Sequence, residues 1–348
     1  MSKSNFSQKK SFIDLNESDS EKLIKEIGEK PFRINQINNW IYNHCVKTWD
    51  EMINLPRSLT NQLKKKIRLH PLELIEISGE NDKINSTQKF LFKTIKGNKI
   101  ESVLMHDNNR TTICVSSQSG CILDCNFCAT ASMGFLENLS STEMLDQVLH
   151  LASYSNSKIT NIVYMGMGEP LMNYRNVMES GLLLKNKMGL GSRRITISTA
   201  GISSKIRQIA DDNYKFKLAI SLNASDEDTR KRIMPITTKY SLSDIMEAAD
   251  YYYKKTKKFI TFEYVLLKDV NDSINAANNL KNLLKTFPCK LNIIPYNEID
   301  GDYKRPTVKN IEAFLSCFES VPFIVTVRWS NGTDINAGCG QLAVKELV

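Results

Sequence analysis

The 348-residue sequence lacks long hydrophobic runs, internal repeats and low-complexity tracts. No apolar stretch approaches the roughly 20 residues needed to cross a bilayer, so we expect no membrane role. The first ten residues, MSKSNFSQKK, lack the apolar segment of a secretory signal, which predicts a cytoplasmic protein. With 41% hydrophobic and 24% charged residues, the composition is that of a globular protein and excludes disordered, collagen-like and coiled-coil classes.

The eight cysteines do not suggest a disulfide-stapled scaffold, because clustered cysteines in a reducing compartment are more often metal ligands or catalysts. They are Cys45, Cys114, Cys121, Cys125, Cys128, Cys289, Cys317 and Cys339. Three of them, Cys45, Cys289 and Cys317, are most simply packed as apolar residues. The net charge of +8 favours encounters with polyanions without specifying which polyanion.

Three segments differ in hydrophobic pattern and predict three domains. Residues 1–70 show helical apolar spacing and form a helical accessory domain that we expect to bind RNA. Residues 71–110 show period-two alternation and predict a small linking antiparallel sheet. Residues 111–348 alternate apolar strands with amphipathic helices, which predicts an α/β fold with a parallel sheet. If that sheet curls into a partial (β/α) barrel, its ligands lie at the C-terminal ends of the strands.

The segment GCILDCNFCAT places Cys121, Cys125 and Cys128 in a Cys-x3-Cys-x2-Cys spacing on one loop. Iron–sulfur clusters are normally held by four cysteines, so three leave one iron open to another ligand. A structural zinc site is the alternative, but such sites are closed by four protein ligands. With Phe127 before the last cysteine, the motif resembles the signature of the radical S-adenosylmethionine (SAM) enzymes. This resemblance implies one [4Fe-4S] cluster, SAM bound at its open iron, and a partial barrel.

Several polar residues lie at the predicted C-terminal ends of strands, where a barrel binds its ligands. Their positions agree with a SAM site in a partial barrel. Gly168 and Glu169 in YMGMGEP resemble the SAM-binding segment of the radical SAM enzymes, with Glu169 accepting from the SAM amino group. A plain glycine-rich turn is the alternative. Further candidates for the ribose and carboxylate of SAM are Ser198, Ser221, Leu222, Asn223 and Asn297. Serine and asparagine are also favoured helix N-caps, which is the alternative for each of these positions.

Cys339 lies between two glycines near the C-terminus, and Cys114 precedes the cysteine loop. Either is most simply an inert packed thiol, but a pair facing one cavity would suggest thiol chemistry. Together with the motifs above, in the same order, these two cysteines closely resemble the RlmN/Cfr family of RNA adenine methyltransferases. The similarity runs from about Phe32 to the end of the chain.

The resemblance implies a mechanism that uses two SAM molecules per turnover. Cys339 takes a methyl group from the first, and a deoxyadenosyl radical from the second activates that methyl to join adenine C2. Cys114 then attacks the Cys339 sulfur, which releases methylated RNA and leaves a transient disulfide. Glu101 matches the proposed base of the family, although a solvent-facing strand carboxylate is the alternative.

The family's targets imply 23S ribosomal RNA, in the peptidyl-transferase region, and tRNA, at the adenine 3′ of the anticodon. An external electron donor and a disulfide reductant complete the expected partners, and the chain is expected to be a monomer. We expect the target adenine to be single-stranded or extruded from its stack. Candidate phosphate contacts are residues 64–68, Arg193, Arg194, Arg230, Lys231 and Arg232. A solvated helix face is the alternative for residues 64–68.

Three other functions are compatible with the cysteine loop. A Cfr-type enzyme would methylate C8 instead of C2, although Pro170 more closely resembles the C2 branch of the family. An iron–sulfur RNA-binding or redox-sensing protein would need the cluster but not Cys339. A radical SAM activase of another protein would need no late thiol pair and no basic excess.

Overall fold

The computed structural model describes residues 10–80 and 86–344. Three helices come first, as the apolar spacing predicts, and strands and helices alternate after them. The helices are α1 Glu17–Glu26, α2 Phe32–His44, α3 Arg57–Lys66, α4 Ser141–Tyr154, α5 Tyr174–Met188, α6 Ser203–Asp211, α7 Glu227–Ile233, α8 Leu242–Thr256, α9 Ile274–Leu284 and α10 Val308–Ser316. The strands are β1 Glu73–Ser78, β2 Thr87–Lys93, β3 Lys99–Asp107, β4 Arg110–Cys114, β5 Gln118–Gly120, β6 Phe135–Asn138, β7 Asn161–Tyr164, β8 Ile195–Thr199, β9 Lys217–Ser221, β10 Ile260–Leu266, β11 Cys289–Pro295 and β12 Ile324–Val327.

One ten-stranded mixed sheet carries the fold, in the order β1-β2-β3-β4-β7-β8-β9-β10-β11-β12. From β4 to β12 all neighbours are parallel, which confirms the predicted radical SAM α/β architecture. The strands from β1 to β4 pair antiparallel, as the alternation predicted, and they continue the same sheet. The division into domains at residues 70 and 110 stays a prediction.

Helix boundaries follow local capping chemistry. Ser140 and Ser241 begin α4 and α8, and each forms a reciprocal capping box with the acidic residue three positions on, Glu143 or Asp244. Gly189 ends α5 with a φ of +67°, a conformation that costs little without a Cβ atom. These signals fix where the crossover helices start and stop, so that each strand returns parallel to the one before it.

The main hydrophobic core is continuous from the N-terminal helices into the crossover helices. It includes Ile24, Ile37 and Leu63 from the first three helices and Leu149 from α4. A second, smaller core cluster contains Leu123, Phe127, Ala200, Ala224, Ile233, Met234, Leu267 and Tyr296. The first two belong to the cysteine loop, so this cluster packs the loop against the rest of the fold. Within the described residues, no helix is long and apolar enough to cross a membrane.

Candidate active site

The cysteine loop lies between β5 and β6, which pair as a short hairpin. The backbone N–H of Cys121 donates to Gly134 O at 2.9 Å, and that of Cys128 donates to Cys125 O at 3.0 Å. All three cysteines line one cavity of about 150 Å³, called the cluster cavity below. Burial, followed by the charges of neighbouring cysteines and Glu169, raises the pKa of the Cys125 thiol well above its usual value.

The donor set of the cluster cavity fits a cubane iron–sulfur cluster with one open iron. Three thiols on a single loop can ligate three irons. Besides Cys339, which belongs to a separate segment, the remaining wall offers oxygen donors and glycine backbone, including Glu169, Ser198 and Gly168. Such a wall suits an amino acid and a ribose.

Gly168 and Glu169 follow β7 at the mouth of the barrel. Gly168 has a φ of +93°, and a Cβ atom there would overlap the Gln118 side chain, so this position favours glycine on both counts. The Glu169 carboxylate is buried and accepts from Ala200 N at 2.8 Å and Leu171 N at 3.0 Å. Burial raises its pKa. The carboxylate is therefore fixed in position and keeps lone pairs for a ligand amine.

Ser198, Ser221 and Asn223 also line the cluster cavity, at the carboxyl ends of β8 and β9. The alternative of helix capping is wrong for all three, because Ile202 and Asp226 cap the helices that follow. The Asn223 side chain accepts from Val265 N at 3.0 Å, with its own backbone at a φ of +57°. This ties the end of β9 to β10.

Leu222 and Asn297 are not among the residues that line the cluster cavity. Leu222 is fully buried, and its backbone N–H donates to Glu263 O at 2.9 Å. The Asn297 amide instead donates to Cys339 O at 3.0 Å and to Ser330 Oγ at 2.8 Å. Asn297 therefore holds the segment that carries Cys339.

Glu263 on β10 is a residue of the cavity wall that the sequence reasoning missed. It is 5% exposed, and its Oε2 accepts from Ser198 Oγ at 3.1 Å. Its Oε1 is buried and has no hydrogen-bond partner within the described ranges. Burial raises the pKa of Glu263, whereas nearby Arg328 lowers it. An acidic residue inside the apolar strand FITFEYVLL was the available signal.

Cys339 connects two cavities. It lines the cluster cavity with Cys121, Cys125 and Cys128, and it also lines a second cavity of about 500 Å³ together with Cys114. Cys114 is buried on β4, where it lies opposite Val103 and Val163. Desolvation raises the pKa of Cys339 to about 11, although its side chain is accessible from the cavity, and that of Cys114 to about 12. Burial therefore disfavours the thiolate form of both side chains.

The C-terminal segment is joined directly to the cysteine loop. Ala129 N donates to Gly340 O at 2.8 Å, and Thr130 Oγ1 donates to Leu342 O at 2.6 Å. Both bonds lie just after Cys339 in the chain and hold its segment against the loop, so that Cys339 lines the same cavity as the cluster cysteines. Sequence spacing alone carries no information about this pairing.

Glu101 lies on β3 and lines a third cavity, of about 770 Å³, with Cys125 and Cys128. It is 5% exposed, so the alternative of a solvent-facing carboxylate is wrong. Its Oε1 lies 3.0 Å from Lys89 Nζ, and its buried Oε2 has no hydrogen-bond partner among the residues the structure describes. Burial raises the pKa of Glu101, and Lys89 lowers it.

The prediction that Arg230 contacts phosphate is wrong. Arg230 is fully buried, and its guanidinium donates to Leu222 O at 3.0 Å, Thr237 Oγ1 at 2.7 Å and Ser221 O at 3.2 Å. The guanidinium satisfies carbonyls at the ends of β8 and β9 that would otherwise be buried without a partner. The remaining basic candidates include exposed residues, namely Lys64, Lys65, Lys66, Arg193, Arg194, Lys231 and Arg232.

Comparison with known families gives two matches that agree with this site. Residues 115–278 match the model of the radical SAM superfamily. Residues 11–69 match the model described as the ribosomal RNA large subunit methyltransferase N-terminal domain. The first match covers the cysteine loop and the strands that surround the cluster cavity, and the second covers the N-terminal helices.

Curated relatives match over nearly the full chain. A probable dual-specificity RNA methyltransferase, RlmN 2 of Protochlamydia amoebophila, is 43% identical over 96% of this chain and 95% of its own length. A probable RlmN of Flavobacterium johnsoniae is 40% identical, over 92% and 93%. A crystal structure of a radical SAM methyltransferase from Sphaerobacter thermophilus superposes with a TM-score of 0.89 at 37% identity, covering 97% of this chain and all of that chain.

Proposed function

The chain belongs to the RlmN family within the radical SAM superfamily, and from this premise we propose that it methylates adenine C2 in RNA. The proposed substrates are 23S ribosomal RNA, in the peptidyl-transferase region, and tRNA, at the adenine 3′ of the anticodon. The observation that carries the proposal is the position of Cys339, which lines both the cluster cavity and the second cavity that Cys114 lines.

Cys121, Cys125 and Cys128 hold one [4Fe-4S] cluster in this proposal. When bound, the cluster supplies the electron that cleaves SAM homolytically. The residues proposed to contact SAM are Gly168, Glu169, Ser198, Ser221, Asn223 and Glu263. Leu222 and Asn297 stabilise this site without lining the cavity. The hydrogen bond of Leu222 holds the end of β9, and that of Asn297 holds the Cys339 segment.

Cys339 is the methyl carrier. Its sulfur takes a methyl group from the first of two SAM molecules and becomes S-methylcysteine. The deoxyadenosyl radical from the second SAM takes a hydrogen atom from that methyl group, and the resulting methylene radical bonds to adenine C2, so that the Cys339 sulfur is linked to C2 through a methylene group. C2 then loses its proton, and the unpaired electron of the adduct would be taken up by the oxidised cluster. The Cys114 sulfur attacks the Cys339 sulfur, the S–CH2 bond breaks with its electron pair on the methylene carbon, and protonation of that carbon gives the methylated product and a Cys114–Cys339 disulfide. The cavity that the two thiols share supports this exchange, and an external thiol donor reduces the disulfide for the next turnover.

Glu101 accepts the proton from adenine C2. Its Oε2 is buried and has no hydrogen-bond partner in the described part of the chain. The Glu101 residue lines the cavity that Cys125 and Cys128 also line. A carboxylate with a pKa raised by burial is a stronger base than an exposed one. The adenine must leave its stack to reach this position, which favours single-stranded or extruded RNA.

The proposal also includes an external electron donor for the cluster, a cytoplasmic location and a monomeric enzyme. The net charge of +8 supports RNA as the partner, because phosphate contacts by lysine and arginine supply most of the non-specific affinity for nucleic acids.

The test is nucleoside mass spectrometry of ribosomal RNA and tRNA. The RNAs come from cells that lack this protein and from the same cells complemented with wild type, Cys339→Ala or Cys317→Ala. Cys317 is a matched control, since it lies at the end of α10, where its Sγ donates to Ala313 O at 3.7 Å, and it lines neither the cluster cavity nor the cavity of Cys114. We expect 2-methyladenosine in both RNAs with wild type and Cys317→Ala, and none with Cys339→Ala.

Other outcomes would assign a different function. Appearance of 8-methyladenosine would establish C8 as the target carbon. Cleavage of SAM without any change in RNA would favour activation of another protein. RNA binding that persists with no SAM cleavage would favour a sensor or a binding protein.

A further inference from the structure

Four polar side chains, among them Glu101, form a row with Leu91 across the antiparallel strands β1, β2 and β3. In the register of β1 and β2, Ser78 lies opposite Lys89 and Glu76 opposite Leu91. In the register of β2 and β3, Leu91 lies opposite Glu101. Since side chains alternate between the two faces of a sheet, all five project from the same face, and all five line the cavity of about 770 Å³.

Lys89 contacts Glu101 diagonally across β2 and β3. The side chains of Lys89 and Glu101 are only 15% and 6% exposed, and the Nζ to Oε1 distance is 3.0 Å. A pair this well buried is screened little by salt or water. Oε2 is buried and has no hydrogen-bond partner in the ranges that the structure describes. The two carboxylate oxygens therefore differ, because Oε1 is paired with Lys89 and Oε2 has no partner.

We propose that Lys89 is a positioning residue for Glu101. Lys89 holds Oε1, and Oε2 is the oxygen that receives the substrate proton. The inference rests on the proposed function. In the step concerned, the C2–H bond of the RNA adduct breaks, the proton goes to Oε2, and the electron pair of that bond stays on adenine, while the unpaired electron of the adduct would pass to the oxidised cluster. Lys89 keeps its own proton and remains the counterion of the carboxylate.

The electrostatic surroundings support this role. Burial raises the pKa of Glu101, Lys89 lowers it through charge and hydrogen bonding, and Glu76 on β1 raises it. The far wall of the cavity carries Asp124, Glu298, Asp300 and Lys304. Lys89 is thus the cation that offsets the burial of the carboxylate.

The experiment compares Lys89→Met and Lys89→Arg with wild type and a matched control, Lys93→Met. Lys93 lies on the same strand and the same face as Lys89, is half-buried, and is not among the residues that line the cavity. Reconstituted enzymes react anaerobically with an RNA substrate in single turnovers over a range of pH values, because the pH profile of the rate reports the pKa of the base.

We expect Lys89→Met to move the acidic limb of the rate profile to higher pH by about 1 unit or more, because loss of a nearby positive charge raises a carboxylate pKa. Below that limb the covalent Cys339–RNA adduct accumulates on denaturing gels, since it resolves only after proton loss. Lys89→Arg keeps the charge and the wild-type limb, and Lys93→Met leaves both readouts unchanged. The KM for RNA stays the same in all four proteins.

Mass spectrometry of S-methylated Cys339 in each purified protein shows whether the fold and the SAM site are intact. Lys89→Gln replaces Lys89→Met if the methionine variant lacks this modification. A Lys89 variant with S-methylated Cys339, a wild-type pH limb and no adduct would overturn the inference while leaving the proposed function in place. Absence of 2-methyladenosine with the wild-type enzyme would overturn both.

Discussion

Asp146 on α4 joins the N-terminal helices to the barrel through a buried ion pair. Its Oδ1 lies 2.5 Å from His70 Nδ1, and its Oδ2 accepts from Leu72 N at 3.0 Å. The other ring nitrogen of His70 donates to Val46 O at 2.9 Å. Since both partners of the ring are acceptors, His70 carries two protons and a positive charge. The charge of Asp146 accordingly raises the pKa of His70 despite its burial.

Asp146→Asn removes one charge of this pair and keeps an acceptor for Leu72 N. Removing one partner of a buried pair costs about 3–5 kcal/mol, and we expect the lower figure because the amide preserves one hydrogen bond. With a urea m value of about 1–3 kcal/mol per molar, the unfolding midpoint falls by about 1–3 M. The matched control is Asp50→Asn, whose carboxylate is 69% exposed and pairs with Lys64, so its cost stays below about 1 kcal/mol.

Tryptophan fluorescence measures the effect where it occurs. Trp40 and Trp49 lie in the N-terminal helical region, whereas Trp329 is exposed after β12. Urea titrations followed by fluorescence give the transition of the N-terminal region, and circular dichroism gives that of the whole chain. Equal midpoints for Asp146→Asn and Asp50→Asn would refute the reasoning.

The difference in free energy of unfolding between wild type and Asp146→Asn depends on pH with a defined sign. The pKa of His70 is raised from 6.5, so its contribution to folding is complete below pH 6.5 and is lost as the pH rises through the raised value. The pKa of Asp146 is lowered from 3.8, so its contribution is complete above pH 3.8 and is lost as the pH falls through the lowered value. The free energy difference between wild type and Asp146→Asn is therefore largest between pH 3.8 and 6.5.

Three further substitutions test the site. Gly168→Ala combines a φ of +93° with overlap against Gln118, strain of about 1–3 kcal/mol, and should weaken SAM binding about 10- to 100-fold in equilibrium dialysis; unchanged affinity would contradict the close approach. Glu263→Gln removes a charged hydrogen-bond acceptor worth about 1.5–3 kcal/mol, so we expect SAM to bind more weakly. A SAM dissociation constant within twofold of wild type would show that Oε1 faces no ligand. Arg230→Met should lower the melting temperature by several degrees without changing the salt dependence of RNA binding, whereas Arg193→Gln should reduce only that salt dependence.

Local patterns in the sequence predicted much of the fold. Alternation every second residue located β2 and β3, and apolar runs between helical patterns located β7 to β12. The cysteine spacing predicted one loop that holds three ligands, and the structure has that loop between β5 and β6. These features depend on neighbours a few positions away, which is why a single sequence reveals them.

The roles of individual polar residues were harder to predict. Arg230 looked like a surface cation beside Lys231 and Arg232, yet it is fully buried because α7 turns it towards the carbonyls at the strand ends. Glu263 was read only as part of an apolar strand. In both segments, the sequence is compatible with the polar side chain facing either the interior or the solvent.

The sequence by itself determined the order of elements and the set of reactive side chains, because hydrophobic period and ligand spacing are properties of contiguous residues. Only the tertiary structure decided which of those side chains meet. Cys339 lines one cavity with Cys114 because the C-terminal segment bonds to the cysteine loop, and Glu101 meets Lys89 because the strand register aligns them. Burial and charge pairing depend on distances through space, and residues far apart along the chain set them.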